Sequence, residues 1–440
     1  MIIHPLKNLM KMASLATNCT QKLCRCFYNA LKVDKNMNYK LLEVFGIELE
    51  YMIVDKDSLM VKPIADQVFE EINSGYTNLI ENPVVDWSNE LVAHVIEIKN
   101  NKPEPKIWPL LESFEKEVRR INQELDIYNA QLMPSAMHPF MNPDKETRLW
   151  PHENNEIYSS YDRIFGCKGH GWSNLQSLHI NISFDSDEEF RKLHSAVRFL
   201  LPLVPALSSS SPIVEGKLQE TSSSRLGFYL KNQKRIPSII GKAIPEVIKS
   251  NEEYQNKVLE PMYADIRPLD SLEVLQEEWL NSRGAIPKFE RGCLEIRLAD
   301  VQECPQIDLS IALFWVKAIK TLVNEDWITI EEIESLSTDT LREVLELSVK
   351  DAEIAKVSQA QYLKCFGFSE TASTKDLLKG ILDKLNYSED EMDAKDNLNH
   401  LLEIGSLSTR IKKAIDHGQS MQSVYQKLCS ALAEGNFFEN

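Results

Sequence analysis

The sequence predicts a chain of mixed α and β structure, with strands up to about residue 301 and only helices beyond about Val323. Three observations carry this. In Val44–Val54, a period of two puts Phe45, Ile47, Leu49, Tyr51 and Ile53 on one face and Gly46, Glu48 and Glu50 on the other. Leu175–Phe184 alternates in the same way, Leu178, Ile180, Ile182 and Phe184 against Ser177, His179, Asn181 and Ser183. Cys293–Val301 sets Leu294, Ile296 and Leu298 against Glu295 and Arg297. Glutamate is a poor strand former, and neighbouring carboxylates repel unless something positive lies between them. Glu48-x-Glu50 therefore points to a demand beyond solubility, with a solvated strand face as the plain alternative.

The remaining elements follow in order. Asp55–Leu59 reads as a turn and Ala65–Ile72 as a short helix. Leu91–Ile98 is a strand with Glu90 before it and Glu97 inside it, ended by Asn100-Asn101-Lys102-Pro103. Ile107–Tyr128 has helical spacing (Ile107, Leu110, Leu111, Phe114, Val118, Ile121, Leu125). Gln131–Met137 is a short strand leading to His138-Pro139-Phe140. Asn142–Gly171, rich in Pro, Asn, Tyr and Trp, is expected to be irregular and either functional or mobile. Asp187–Ser208 reads as one helix, Ser208–Ser211 and Ser222–Ser224 as loops about a turn at Glu215-Gly216, and residues 229–237 carry Lys231, Lys234 and Arg235. The tail is read as helices over Leu341–Val357, Lys375–Leu385, Leu398–Ala414 and Ser420–Ala433.

Composition narrows the function. The formal charge of −17 over 440 residues argues against a general nucleic-acid binder, which needs a basic surface. The 8 cysteines are scattered, with Cys19, Cys24 and Cys26 the one cluster, so the expectation is a reducing, cytoplasmic setting without a disulfide framework. No run approaches the ~20 apolar residues of a membrane span, so no membrane partner is expected. Residues 1–36 are mildly basic, lack a secretory core and are read as a poorly ordered extension; organised sequence begins just after Met37.

Together, if the strands form one antiparallel sheet, its polar face gathers Glu48, Glu50, Glu97, His179, Asn181, Glu295 and Arg297. Carboxylates with one histidine suit Mg²⁺ or Mn²⁺, hard ions that prefer oxygen. Metals beside arginines are what an acidic protein needs to hold a triphosphate. With no G-x₄-G-K-[ST] loop and no G-x-G-x-x-G, a nucleotide would have to bind on the sheet.

Five motifs, in order, now resemble those of the glutamate–cysteine ligase type 2 (carboxylate–amine ligase) family of the glutamine-synthetase-like superfamily. They are Gly46–Tyr51, Val95–Ile98, His138-Pro139-Phe140, Leu207–Pro212 with Gly216 and Ser224-Arg225, and Leu294–Asp300. Asn281–Pro287 and Asp300–Pro305 are similar to one branch of it. The match runs from about residue 41 to 310, and more loosely over Gly405–Ala433. One departure is His179-Ile180-Asn181, where many members have His-x-His.

The resemblance implies an α+β fold whose curved antiparallel sheet holds ATP and Mg²⁺ (or Mn²⁺) in a 37–322 domain, with a helical region over 323–440 packed on it. It implies ATP-dependent amide formation through an acyl phosphate, most simply from glutamate and cysteine, in glutathione biosynthesis. Another carboxylate and amine, or a weakly catalytic regulatory member, are alternatives. Carried onto this chain, Glu48, His179 and Glu295 would hold one metal and Glu50, Glu97 and Glu90 another, in a two- or three-metal site. Asn181 would meet substrate or nucleotide differently from a second histidine. Arg225 and Arg297 would contact phosphoryl oxygens, and Arg283 a phosphate or substrate carboxylate. His138 would shape the pocket wall, and Cys167, Cys293 and Cys304 would be structural. Small-molecule substrates are the implied partners, and the sequence leaves a homo-oligomer open.

Overall fold

In the structure, a computed structural model describing residues 39–439, eight strands form one antiparallel sheet. They are β1 (Phe45–Asp55), β2 (Leu79–Ile80), β3 (Val85–Asn89), β4 (Val95–Asn100), β5 (Ala130–Met133) and β6 (Ser177–Ser183), and, after a separate hairpin of β7 (Ile213–Val214) and β8 (Lys217–Leu218), β9 (Ala285–Lys288) and β10 (Cys293–Asp300). The order is β2-β3-β4-β1-β6-β10-β9, with β5 also on β1. The 11-residue β1 carries partners on both edges, and Met52 alone pairs with Val95 of β4 and Met133 of β5.

One face of β1 packs the core. Ile47, Leu49, Tyr51 and Ile53 are fully buried, each worth about 1.5–3 kcal/mol. A slip of one residue would drive Glu48 and Glu50 into that core, so the alternation fixes the register. Helices Leu111–Leu125, Asp187–Leu200 and Pro305–Val323 cover this face and one another. Tyr51 donates its hydroxyl to Asp308 at 3.5 Å, and Trp87 Nε1 bonds Glu117 Oε2 at 3.0 Å.

The tail packs on the same body. Met392–Ile404 lies on Pro305–Val323, and Met421–Glu434 lies on β5 and Leu111–Leu125. Arg410 pins it, donating to both oxygens of the fully buried Glu303 at 2.6 and 3.1 Å. The described residues fall within one compact unit. The extension 1–36 and the Cys19–Cys26 cluster lie outside them.

Several element boundaries differ from expectation, each for a local reason. Asp187–Ser208 is a helix to Leu200, a 3-10 turn over Leu201–Leu203 and a short helix Val204–Ser208, because Pro202 and Pro205 lack the N–H an unbroken helix needs. Leu398–Ala414 is split at Gly405, whose φ of 100° no helix contains. The Leu341–Val357 helix ends at Asp351. The Leu91 strand begins only at Val95, and the Gln131 strand ends at Met133. Asn142–Gly171, expected to be irregular, contains a helix over Asn155–Phe165 between Asn154 and Gly166, both at positive φ. The hairpin turn does fall at Glu215-Gly216, again both at positive φ.

One core residue offers a test. His194 is fully buried against Phe190 and Tyr254, and neither ring nitrogen has a hydrogen-bond partner. Burial first, then Arg198, pulls its pKa down to about 3. Below pH 6.5 the unfolded chain protonates this residue and the folded chain does not, so stability is lost as pH falls from 6.5 towards 3. His194→Leu is therefore expected to gain on the parent by about 1.4 kcal/mol per pH unit in that window. Urea midpoints of both chains at pH 7, 6 and 5 measure this, and a constant difference between them would refute it.

Candidate active site

Residues directly opposite one another in antiparallel strands share a face, so the register assembles the polar side. Glu48 stands opposite Lys99 of β4 and His179 of β6, and Glu50 opposite Glu97. Asn181 of β6 lies opposite Gly46 on one edge and Glu295 on the other. A Cβ on Gly46 would sit 3.3 Å from that of Asn181, so glycine keeps this crossing open. Between Ile296 and Ala299 the β10–β6 register shifts by one residue. This bulge returns Asp300 to the face that Glu295 occupies.

Hydrogen bonds then fix each group. His179 Nδ1 lies 3.2 Å from Glu48 Oε2, and Asn181 Nδ2 donates to Glu48 Oε1 at 2.9 Å. Asn181 thus orients Glu48. Ser177 donates to Glu50 Oε2 from both its backbone N–H (2.7 Å) and its hydroxyl (2.8 Å), and its Oγ lies 3.0 Å from His179 Nε2. Ser88 Oγ and the Lys99 ammonium both meet Glu97 Oε2. Glu295 is flanked by the Lys288 ammonium on Oε2 and by Arg297 Nε, 3.0 Å from Oε1.

Burial opposes ionisation of Glu48, but Lys288, His179 and Lys99 outweigh it and hold the carboxyl well below the usual range. Glu90 goes the other way, pushed well up by burial and then by the charges of Glu97 and Glu50. Burial lowers Lys288 from its ordinary 10.5, with Glu48 opposing; for Lys99, burial acts against the ammonium but Glu97 and Glu48 prevail and raise it. The Glu50–Glu90–Glu97 corner is therefore short of positive charge.

Of the residues singled out from sequence, the structure brings Glu48, Glu97 and His179 together, with one ligand atom from each within 4.8 Å of the others. This is the set of three such ligands among the described residues. Glu97 thus joins Glu48 and His179, where the resemblance had put Glu295. Glu50 and Glu90 border the set through Glu97. Arg297 faces the site, with Glu50, Glu48 and Tyr161 within electrostatic reach.

Two arginines are committed elsewhere. Arg225, 2% exposed, donates to Asp300 Oδ1 at 3.2 Å and to the Arg297 carbonyl at 3.0 Å. Arg283 is bidentate to Glu246 at 2.7 and 2.8 Å and also bonds the Ser238 carbonyl and Asn281. The four Arg283 bonds and the Arg225 Nη1 and Nη2 bonds thus go to protein groups, whereas Arg225 Nε has no hydrogen-bond partner. His138 is bound through Nε2 to the Leu59 carbonyl and accepts at Nδ1 from Phe140 and Met141 N–H, a turn-shaping role. Cys167, Cys293 and Cys304 are free thiols.

Sequence reading missed Lys99 and Lys288, and named Ser177 on the polar face without giving it a role. Lys99 and the role of Ser177 were discoverable, since these residues lie two positions from Glu97 and His179 on the same faces.

Solved structures share this arrangement of a sheet with helices on one side. The structure of a glutamate–cysteine ligase from Francisella tularensis in complex with AMP matches with a TM-score of 0.56 at 12% identity, over 91% of this chain and 90% of that one. A bifunctional glutathione synthetase from Pasteurella multocida matches with a TM-score of 0.63 at 15% identity, over 90% of this chain and 53% of that one. At such identities the likeness is one of fold: the α+β antiparallel sheet with flanking helices and a helical C-terminal region.

Sequence takes the assignment further. Glutamate–cysteine ligase family 2 matches residues 44–427, and the chain belongs to that family of ATP-dependent ligases forming amide bonds. An uncharacterised protein from Archaeoglobus fulgidus is 36% identical over 328 residues, 73% of this chain and 88% of that protein. A Herpetosiphon aurantiacus protein, whose name proposes it as a glutamate–cysteine ligase 2, is 21% identical over 405 residues, 89% of this chain and 93% of that protein. No helix of the described residues is long and apolar enough to cross a membrane.

Proposed function

We propose that this chain is a glutamate–cysteine ligase, joining the γ-carboxylate of glutamate to the amine of cysteine at the expense of ATP, in the cytoplasm and as a step towards glutathione. The observation that carries this reading is the Glu48–Glu97–His179 set beside Arg297 on a largely buried sheet face. The donor set, two carboxylates and one imidazole, fits a hard divalent ion, Mg²⁺ or Mn²⁺. Glu50 and Glu90 are the candidates for a second ion, since their corner lacks positive charge. When bound, such ions would supply positive charge against the triphosphate.

The chain's own groups do the rest. In the first step a substrate carboxylate oxygen attacks the γ-phosphorus, the bond to the bridging oxygen breaks and ADP leaves with that electron pair. Arg297, ion-paired with Glu295, supplies a positive charge for the transferring phosphoryl oxygens. In the second step the amine attacks the acyl carbon of the acyl phosphate, phosphate leaves and the amine sheds a proton. Asn181 and Ser177 hold Glu48 and Glu50 in place throughout, so that these two like charges on one face of β1 do not swing apart.

Phosphate release in the presence of ATP, Mg²⁺, glutamate and a panel of amines tests the reading. Release requiring both glutamate and an acceptor, with the highest kcat/KM for cysteine, is expected. Maximal release with a different carboxylate or amine would replace the substrate assignment. Nucleotide binding with no release for any acceptor would overturn the ligase reading itself.

A further inference from the structure

Lys288 has no part in the chemistry just described, yet it lies inside the site. It ends β9, the edge strand, opposite Cys293 and on the polar face. Its ammonium meets Glu295 Oε2, and Arg297 Nε lies 3.0 Å from Glu295 Oε1. Each oxygen of this carboxylate, on a residue only 3% exposed, already faces a cation belonging to the chain. Glu97 differs: its bonds from Ser88 and Lys99 fall on the single oxygen Oε2, and it lies within the ligand set that Glu295 does not join. A carboxylate binds a divalent ion through an oxygen lone pair aimed at it, and a fixed ammonium at the same oxygen repels the incoming ion.

We propose that Lys288 takes the place of a divalent ion at Glu295, so that this chain holds metal through Glu48, Glu97 and His179 and not through Glu295. The proposal rests on reading the polar face as a metal-dependent ligase site. Lys288 would then be a resident counter-ion for Glu295, whether or not metal is bound. A lysine lacks the open coordination positions of a metal, so this side of the sheet would contribute charge without contributing a bridge.

Titration of the full chain with Mn²⁺ alone, with free Mn²⁺ followed by electron paramagnetic resonance, counts the ions held per chain. Glu295→Gln is expected to bind as many as the parent, and Glu97→Gln one fewer. Lys288→Met is expected to bind one more, because Glu295 is then unpaired on one oxygen, and Lys288→Arg no more than the parent. Loss of an ion in Glu295→Gln, or a parental count in a folded Lys288→Met, would overturn the proposal. If Lys288→Met does not fold, the comparison of Glu295→Gln with Glu97→Gln still decides. The two readings fail separately. A parent that binds Mn²⁺ but releases no phosphate from ATP sinks the ligase reading alone, and an ion lost from Glu295→Gln sinks the Lys288 assignment alone.

Discussion

Glu48→Gln is expected to reduce ATP- and glutamate-dependent phosphate release about a thousand-fold while leaving the fold intact. The substitution is nearly isosteric. The side-chain carbonyl can still accept from Asn181, and Ile47 and Leu49 on either side remain packed in the core. What is lost is one negative charge, placed between Lys99 on one neighbouring strand and His179 on the other. A unit charge about 4 Å away at an effective dielectric near 20 is worth about 4 kcal/mol, and 1.36 kcal/mol is tenfold in rate. That loss falls on the ion and phosphate charges of the reacting complex, whereas the resting chain merely exchanges one strand-face contact for another. Phosphate release at saturating and at low Mg²⁺, with a circular dichroism melt as the control for folding, separates the two effects. Near-parental activity at low Mg²⁺ would show that Glu48 does not serve the metal.

The same charge pattern explains how much of this site could be read from the sequence. Glu48, Glu50, His179 and Glu295 were legible because their strands have a strictly apolar opposite face, and that alternation fixes register without knowledge of the partner strand. β9 was not legible. It contains Pro287, which argues against a central strand, and only in the assembled sheet does it prove to be an edge, where proline is tolerated. Lys288 was lost with it. The Pro305–Val323 helix escaped for the opposite reason: it is buried on nearly all sides, so no apolar stripe separates from a polar one. Arg225 and Arg283 show a different limit. A motif can mark an arginine as important, but only the positions of Asp300 and Glu246 show that its guanidinium points into the protein.

Removing Asp300 should cost more stability than any other single change on the sheet's polar side, about 3–5 kcal/mol, because it leaves the guanidinium of Arg225 buried without its counter-charge. Asp300 is 1% exposed and takes the Ser210 N–H, the Ser211 and Ser223 hydroxyls and Arg225 on its two oxygens, so Asp300→Ala strands four donors at once. Burial raises the Asp300 pKa and Arg225 lowers it, with burial prevailing, so the aspartate itself is not a comfortable ion in this position. The pair therefore contributes less to stability than the loss of one member suggests. Replacing both, as in Asp300→Leu with Arg225→Met, should cost clearly less than the sum of the single changes. Arg225 also holds the carbonyl of Arg297 at the β10 bulge, the point at which the strand resets its register. The double variant, folded but without that bond, should lose phosphate release through a misplaced Arg297 in spite of its recovered stability. Urea denaturation of the two singles and the double gives the coupling energy. Additive losses, or full activity in a folded double variant, would mean that the ion pair neither stabilises the bulge nor positions Arg297.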